Sequence, residues 1–284
     1  MAVGRSTQGH MVRRHEFETS ERPPTAKAEG DLSERIKAVA VTGAGRGIGR
    51  SIAERFLAEG WKVWALARQE SAVESLKSKG DIRFVSFDAG DDRSVIAAAQ
   101  KLNAEAGSLD ALVNNAGIAL SAPLHKTSNE DFERTMRVNV TAPFLLIREL
   151  SGAMVKSGSG RIVNIASTAA KKGFRYTSAY CASKHALLGL TRSLALELAP
   201  RGITVNAVCP GWTETDMLQA SVDRIAQATG RSQEEAKETL AKMNPLHRAV
   251  KPEEVAEVVY FLSATAAGSA ITGADWAIDG GETA

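Results

Sequence analysis

Short apolar runs alternate with longer amphipathic segments from residue 36 onward, and no other feature restricts the possible folds as strongly. A strand that is apolar along its whole length is covered on both faces, as in a parallel sheet with helices on either side. Parallel neighbours need a long crossover, normally a helix, so the alternation predicts βαβ units in a doubly wound α/β sheet. The apolar runs are residues 38–41, 63–66, 84–87, 109–113, 161–165 and 204–208.

The alternating pattern covers residues 36–284 without a linker or an internal repeat, so we expect one domain there. Residues 1–35 are polar, interrupted by proline and without a hydrophobic period, and we expect them to form a flexible tail. The arginines before Glu16 suggest a transit peptide, whereas the acids from Glu16 onward argue against one. Met11 is an alternative start.

Composition and charge exclude several classes of function. The 284 residues are 44% hydrophobic and 24% charged, as in ordinary soluble globular proteins. A net charge of +2 gives no electrostatic reason to expect nucleic acid or an anionic membrane as a partner. The chain also contains no uninterrupted apolar run of about 18 residues, the length that spans a bilayer.

Cysteine and histidine usage points away from disulfides and metals. Cys181 and Cys209 lie in apolar segments and are too few for a disulfide framework, so they predict reduced thiols in a cytoplasmic protein. The five histidines are scattered, and no histidine–cysteine cluster has the spacing of metal ligands. We therefore expect no metal site.

A glycine-rich turn links the first predicted strand to a helical pattern. Glycine lets the backbone approach a nucleotide pyrophosphate closely, and the following helix N-terminus attracts the phosphates. The order strand, glycine turn, helix therefore predicts a dinucleotide site. Its residues are Gly43, Arg46, Gly47, Ile48 and Gly49.

The turn has the form Thr-Gly-x-x-x-Gly-x-Gly, which resembles the short-chain dehydrogenase/reductase family. The resemblance extends over about residues 36–284, because further motifs of the family follow in order. They are Asp88 after the third strand, Asn114-Asn115-Ala116-Gly117 after the fourth, Asn139, Ser167, Tyr180-x-x-x-Lys184, Pro210-Gly211-x-x-x-Thr215 and Asp279-Gly280-Gly281.

The resemblance implies a single-domain Rossmann fold, a doubly wound, mostly parallel seven-stranded sheet with helices on both faces. It also implies the cofactor contacts. Asp88 and Ala89 are expected at the adenine, and Thr215 at the nicotinamide carboxamide. The other implied contacts are Asn115, Ala116, Gly117, Tyr180, Lys184, Pro210, Gly211 and Thr213.

The charge at the end of the second strand favours NADP as the cofactor. An acid there binds the ribose hydroxyls of NAD and repels a 2′-phosphate. This chain has Ala67-Arg68 instead, and Arg46 lies inside the glycine turn. Two guanidinium groups suit a phosphate, so we expect NADPH, with NAD as the second choice.

Four residues form the catalytic group that the resemblance implies: Asn139, Ser167, Tyr180 and Lys184. Tyr180 and Lys184 are four residues apart, so they share one helix face. A phenol with a pKa of ~10 is a weak acid–base catalyst at neutral pH, and a nearby ammonium is expected to lower that pKa. Ser167 is expected to polarise a carbonyl. By resemblance, Asn139 holds a water that connects Lys184 to solvent.

The expected reaction is NADPH-dependent reduction of a ketone to a secondary alcohol by hydride transfer, with Tyr180 as proton donor. The overall pattern resembles 3-oxoacyl reductases, whose substrates are thioesters of acyl carrier protein or coenzyme A. Arg201 matches one carrier-docking arginine of that group, whereas Gly158 stands where the other would be. The alternatives are a 3-hydroxybutyrate dehydrogenase-like enzyme, another hydroxy-acid, sterol or cyclic alcohol dehydrogenase, and a non-catalytic nucleotide-binding scaffold.

A lid of two helices is expected over the substrate in residues 212–248, the variable segment of the family. Ser232 and Glu235 have the spacing of a capping box that opens the second helix. Lys171, Lys172 and Arg175 form a basic stretch that suits either solvent or a phosphorylated carrier. The expected substrate-lining residues are Ala169, Phe174, Trp212, Met217 and Leu218.

The expected partners are a small-molecule ketone or alcohol, or an acyl thioester, and further copies of the chain. By resemblance, a homotetramer forms through the helices in residues 132–154 and 178–198 and the last strand.

Overall fold

Seven strands form one sheet in the computed structural model, which describes residues 37–284, and every pair of neighbours is parallel. The predicted tail, residues 1–35, lies outside the described residues. The strands are β1 (Ala38–Thr42), β2 (Lys62–Ala67), β3 (Ile82–Ser86), β4 (Ala111–Asn114), β5 (Gly160–Ile165), β6 (Ile203–Pro210) and β7 (Asp275–Ile278).

The strands lie in the order β3-β2-β1-β4-β5-β6-β7, so the chain reverses its direction of travel between β1 and β4. Ligands of open α/β sheets bind at the carboxyl ends of the strands beside such a reversal. The predicted doubly wound Rossmann architecture is confirmed. The helices are α1 (Gly47–Ala58), α2 (Asp92–Glu105), α3 (Asn129–Met136), α4 (Ala142–Ser157), α5 (Ser178–Leu198), α6 (Asp216–Thr229), α7 (Gln233–Ala241) and α8 (Pro252–Ala264).

Two apolar layers cover the two faces of the sheet, and successive residues of a strand alternate between them. In β4, Leu112 belongs to the layer that contains α2 and α4, and Val113 belongs to the layer that contains α1 and α8. All four residues of β4 are buried. The continuous apolar runs of the sequence are therefore strands covered on both faces, as predicted.

Some boundaries differ from the predicted ones. The strand predicted at residues 109–113 is β4 at Ala111–Asn114, and the Asp110 carboxylate at its entrance accepts a hydrogen bond from the Ala38 backbone N–H at 2.7 Å. The helix predicted over residues 50–60 begins at Gly47, inside the glycine turn.

Helices α3 and α4 are continuous through a π-helical turn at Arg137–Thr141. Within the described chain, the combined segment Asn129–Ser157 has the length and mean hydropathy, 1.2, of a membrane span. Half of it is buried inside the fold, as is usual for a core helix, and α4 packs on α2 and β5.

The two helices predicted for the lid segment are present as α6 and α7. Ser232 Oγ accepts from Glu235 N at 3.2 Å and Glu235 Oε2 accepts from Ser232 N at 2.9 Å, which confirms the capping box. The two ends of the lid segment lie side by side, because Thr213 and Val250 form a parallel bridge.

Candidate active site

The glycine turn packs backbone directly against backbone. Gly43 and Gly47 have φ of +67° and +50°, which glycine adopts without strain. A Cβ atom on Gly49 would overlap the Gly43 carbonyl oxygen, so α1 can start against the turn only from a glycine. The N-cap residue, Arg46, makes no side-chain capping bond, and the first turn of α1 has no acid. Its N–H groups and dipole are therefore available to a pyrophosphate, and this cradle fits a dinucleotide.

The turn after β4 fixes the glycine turn in place. Asn115 Nδ2 donates to the Thr42 carbonyl at 2.9 Å, and the backbone N–H groups of Asn115 and Ala116 donate to Thr42 Oγ1 at 2.9 Å each. These bonds join the carboxyl ends of β1 and β4 across the chain reversal. The Asn-Asn-Ala-Gly motif therefore supports the cradle.

The two predicted cofactor-selecting arginines lie on loops that follow β1 and β2. Arg68 is exposed, immediately after β2. A Cβ on Gly45 would lie 2.7 Å from the Ala72 side chain, so the glycine turn touches the segment that follows Arg68. Arg46 faces Asp216 of the lid at 3.5 Å, with both side chains more than three-quarters exposed. An ion pair so exposed is weak, and it leaves Arg46 available to a phosphate.

The third strand ends at the predicted adenine contacts. Asp88 is exposed and its Oδ1 accepts from Gly90 N at 2.8 Å, while Ala89 is buried. The Asp88 backbone N–H donates to Ser94 Oγ at 2.9 Å. Asp88 therefore holds a tight turn at the open edge of the sheet.

Asn139 lies in the π-helical turn between α3 and α4 and is 1% exposed. Its Oδ1 accepts from Ile118 N, and its Nδ2 donates to Ile118 O and to Ser183 Oγ, each at 2.9 Å. The side chain thus joins the turn after β4 to the helix that carries Tyr180. Widened turns of this kind are frequent at functional sites.

Lys184 is buried, 4% exposed, and its Nζ donates to the Ile165 carbonyl at 2.8 Å, at the end of β5. Burial lowers its pKa to about 8. A Cβ on Gly117 would lie 3.2 Å from Asn139 Oδ1 and 3.6 Å from Lys184 Nζ. A glycine at this position therefore lets the turn after β4 pass beside both side chains.

Tyr180 lies one turn before Lys184 in α5, and Lys184 Nζ is 5.7 Å from the centre of its ring. Burial raises the pKa of the phenol, and a hydrogen bond from the Ser167 hydroxyl partly opposes this effect. The expected lowering of this pKa by Lys184 is not found in the described structure, where desolvation is the largest influence on the phenol and Lys184 Nζ lies 5.7 Å from the ring centre. In this arrangement Tyr180 keeps its proton at neutral pH.

Ser167 is the N-cap of a short 3₁₀ turn at Thr168–Ala170, and its Oγ accepts from Ala169 N at 3.1 Å. The cap fixes its hydroxyl at the carboxyl end of β5. The structure thus brings Ser167, Tyr180, Lys184 and Asn139 together at the carboxyl ends of β4 and β5, as predicted.

The Pro210–Thr215 segment closes the other side of the site. Gly211 N donates to Ile278 O at 3.0 Å, and Thr213 Oγ1 donates to Gly211 O at 2.9 Å. A Cβ on Gly47 would lie 3.1 Å from Thr215 Cγ2, so Thr215 lies against the glycine turn. This places Thr215 next to the cradle.

The predicted substrate-lining residues have different surroundings. Ala169 is buried, Phe174 is half-buried below Lys172, and Trp212 packs against the lid cluster. Leu218 is 6% exposed and packs inside the lid with residues of α6 and α7, whereas Met217 is 45% exposed. Leu218 thus stabilises the lid, and Met217 is one of the apolar side chains that the lid segment exposes, together with Met243 and Leu246.

The basic stretch is largely neutralised by acids near the C-terminus. Lys171 Nζ is 3.0 Å from Asp275 Oδ1, and Lys172 Nζ is 3.4 Å from Glu282 Oε1 and donates to the Glu282 carbonyl at 2.8 Å. Burial raises the pKa of Glu282, and Lys172 opposes this effect. Sequence reasoning missed Glu282, although it directly follows the Asp-Gly-Gly motif.

Comparison with known proteins identifies the family. A family model described as enoyl-(acyl carrier protein) reductase matches residues 43–283. An uncharacterized oxidoreductase of Thermotoga maritima is 41% identical over 253 residues, which cover 87% of this chain and 98% of the relative. This chain belongs to the short-chain dehydrogenase/reductase family.

Two further relatives of this short-chain dehydrogenase/reductase carry descriptive names. The acetoacetyl-CoA reductase of Shinella zoogloeoides is 34% identical over 243 residues, with 85% of this chain and 96% of the relative covered. A solved structure of an actinorhodin polyketide ketoreductase variant with NADPH has a TM-score of 0.81 and 35% identity, covering 87% of this chain and 97% of that one. The chain is thus an NAD(P)-dependent oxidoreductase of alcohols and ketones, similar to 3-oxoacyl reductases.

Proposed function

We propose that this chain uses NADPH to reduce a ketone to a secondary alcohol, with Tyr180 as the proton donor. The observation that carries the proposal is the geometry of the site. Lys184 lies one helical turn after Tyr180 with its Nζ 5.7 Å from the centre of the Tyr180 ring, and the phenol is hydrogen-bonded to the Ser167 hydroxyl. A proton donor is most effective when its pKa lies near the working pH, and the Lys184 ammonium is placed to stabilise the phenolate that forms when Tyr180 gives up its proton.

The residues fit the steps of such a reduction. When bound, NADPH would supply the hydride that forms the new C–H bond at the carbonyl carbon. The π electrons of the carbonyl move to oxygen, where the Ser167 hydroxyl donates a hydrogen bond and Tyr180 transfers its proton. The phenolate that remains is stabilised by the Lys184 ammonium and is reprotonated from solvent.

The cofactor we propose is NADPH, with NAD as the second choice. The support is the exposed Arg68 after β2 together with Arg46 in the glycine turn, since two guanidinium groups can hold a 2′-phosphate. The actinorhodin ketoreductase relative contains NADPH.

The substrate we propose is a 3-oxoacyl thioester or a related ketone. The support is the name of the acetoacetyl-CoA reductase relative and the apolar side chains of Phe174, Trp212 and Met217, which are expected to line the substrate site. Lys171 and Lys172 are paired with acids, which removes them as sites for a phosphorylated carrier. This segment therefore favours neither coenzyme A nor a carrier protein as the group that bears the thioester.

We further propose a cytoplasmic homotetramer. The free thiols of Cys181 and Cys209 support a reducing compartment. Phe144 on α4 and Leu196 on α5 are 40% and 82% exposed, and they give these two helices apolar outer faces that suit contacts between copies.

A panel of ketones with NADPH and with NADH tests the reaction and the cofactor together. We expect loss of absorbance at the reduced nicotinamide band with acetoacetyl-CoA and NADPH, and a slower reaction with NADH. Acetoacetate, a cyclic ketone and a steroid ketone represent the alternative substrates. If none of these ketones oxidises either cofactor, the proposed function is wrong.

A further inference from the structure

Tyr176 has a backbone conformation that bulky side chains rarely adopt. Its φ is +66°, in the left-handed region, and His247 is the other non-glycine residue with positive φ in residues 37–284. For a large side chain this region is sterically unfavourable, and glycine would occupy it without strain. Residues held in this way are concentrated at functional sites.

The strained residue lies where two loops of the active site meet. Tyr176 precedes Tyr180 by four residues, in the loop between β5 and α5 that begins at Ser167. Its carbonyl accepts a hydrogen bond from Ala122 N at 2.7 Å, in the loop that follows β4. That loop passes beside Asn139 and Lys184 at Gly117. The bond therefore joins the two loops that flank the catalytic residues.

Packing within the domain does not compensate for the strain. The Tyr176 residue is 62% exposed, and Leu124, two residues after Ala122 on the facing loop, is 80% exposed. The two loops that this hydrogen bond connects thus each expose a large side chain to solvent. Phe174, in the same loop as Tyr176, is half-buried below Lys172.

We propose that Tyr176 is a specificity-determining residue, whose ring packs on the part of the ketone substrate remote from the carbonyl and selects flat, aromatic groups. The proposal rests on the proposed ketone reduction and deepens it. An aromatic ring offers a large rigid face at low entropic cost, and paired rings attract beyond their buried area. Leu124 supplies the opposite apolar wall of this subsite.

The test compares two ketones that differ in the remote group, ethyl benzoylacetate and ethyl acetoacetate, with NADPH as cofactor. The quantity measured is the ratio of their kcat/KM values in wild type, Tyr176→Gly and Tyr176→Phe. We expect Tyr176→Gly to lower the benzoyl-to-acetyl ratio about tenfold through KM, without lowering Tm, because glycine relieves the strain. Tyr176→Phe keeps the ring and should retain the wild-type ratio within about twofold.

Three outcomes would overturn the proposal. One is an unchanged ratio in Tyr176→Gly, and another is an equal loss with both ketones. A third is a change of oligomeric state in Tyr176→Gly by light scattering, which would assign the ring to a contact between copies. If wild type reduces neither of these ketones and none of the ketones in the panel described above, the proposed function itself is wrong. If wild type is active and only the variants give one of the three outcomes, the proposal for Tyr176 alone is wrong.

Discussion

Lys184 is an ionisable group held in a poorly solvated place. Burial lowers its pKa from the usual 10.5 to about 8, so at neutral pH the folded protein keeps a charged ammonium at an energetic cost. The sign follows from linkage. The unfolded chain binds the proton more tightly than the folded one, so the cost is fully present below pH 8 and disappears as pH rises towards 10.5.

Replacing Lys184 with methionine removes this pH dependence. The variant should gain stability relative to wild type at pH 7. The difference in the free energy of unfolding, Lys184→Met minus wild type, should be higher at pH 7 than at pH 10.5 by about 2 to 3 kcal/mol. Urea titrations at several pH values measure the difference. The exposed Lys156 on α4 provides the control, Lys156→Met, for which the difference should be constant with pH. A pH-independent difference for Lys184→Met would contradict the assigned pKa.

Arg68 provides the test of cofactor choice. Arg68→Asp places an acid after β2, so the KM for NADPH should rise about 10- to 100-fold through lost attraction and new repulsion. The KM for NADH should stay the same or fall, since its ribose lacks the phosphate. Arg134→Asp, an exposed arginine on α3, is the control and should alter neither value. An equal rise for both cofactors would mean that Arg68 does not contact the 2′-phosphate.

At the scale of elements, the sheet was predictable because its strands are apolar on both faces and its crossovers are amphipathic. The π-helical turn at Arg137–Thr141 was not, because it coincides with hydrogen bonds of Asn139 to Ile118 and Ser183, which are distant in sequence. The packing of the lid was likewise not predictable from local sequence. Periodicity places Leu218 on an apolar face, but it does not reveal that the face packs on α7.

Two glycines with opposite surroundings test the cofactor cradle. Gly49→Ala puts a Cβ into the Gly43 carbonyl, so it should lower the free energy of unfolding by about 1 to 3 kcal/mol and weaken NADPH binding. Gly152→Ala is the control, since its Cβ would meet nothing within 4 Å on α4. It should raise the free energy of unfolding by about 0.5 to 1 kcal/mol. Denaturant titration and fluorescence of bound NADPH measure the two effects, and a Gly49→Ala protein with wild-type binding would contradict the cradle.

At the scale of the whole molecule, the sequence motifs located the site because they follow strands whose carboxyl ends meet at one edge. Residues from Gly43 to Thr215 come together there, as the family resemblance implied. The motifs did not reveal which charges are paired, since Lys172 and Glu282 are 110 residues apart. Desolvation of Tyr180 and Lys184 likewise depends on the assembled core and not on nearby sequence.

The proposed assembly gives a prediction at this scale. Wild type should have four times the mass of one 30.2 kDa chain by light scattering. Leu196→Glu puts a charge on the exposed face of α5 and should shift the protein to smaller species. Met243→Glu, at an exposed methionine after α7, is the control and should keep the wild-type mass. A monomeric wild type would contradict the tetramer.

The most direct test of the central claim is the rate of NADPH oxidation with acetoacetyl-CoA in wild type and Tyr180→Phe. Phenylalanine keeps the ring but has no proton to give, so the rate should fall at least about 100-fold. The fluorescence of bound NADPH shows whether the variant still binds the cofactor. A variant that binds NADPH and reduces acetoacetyl-CoA as fast as wild type would contradict the role of Tyr180 as proton donor.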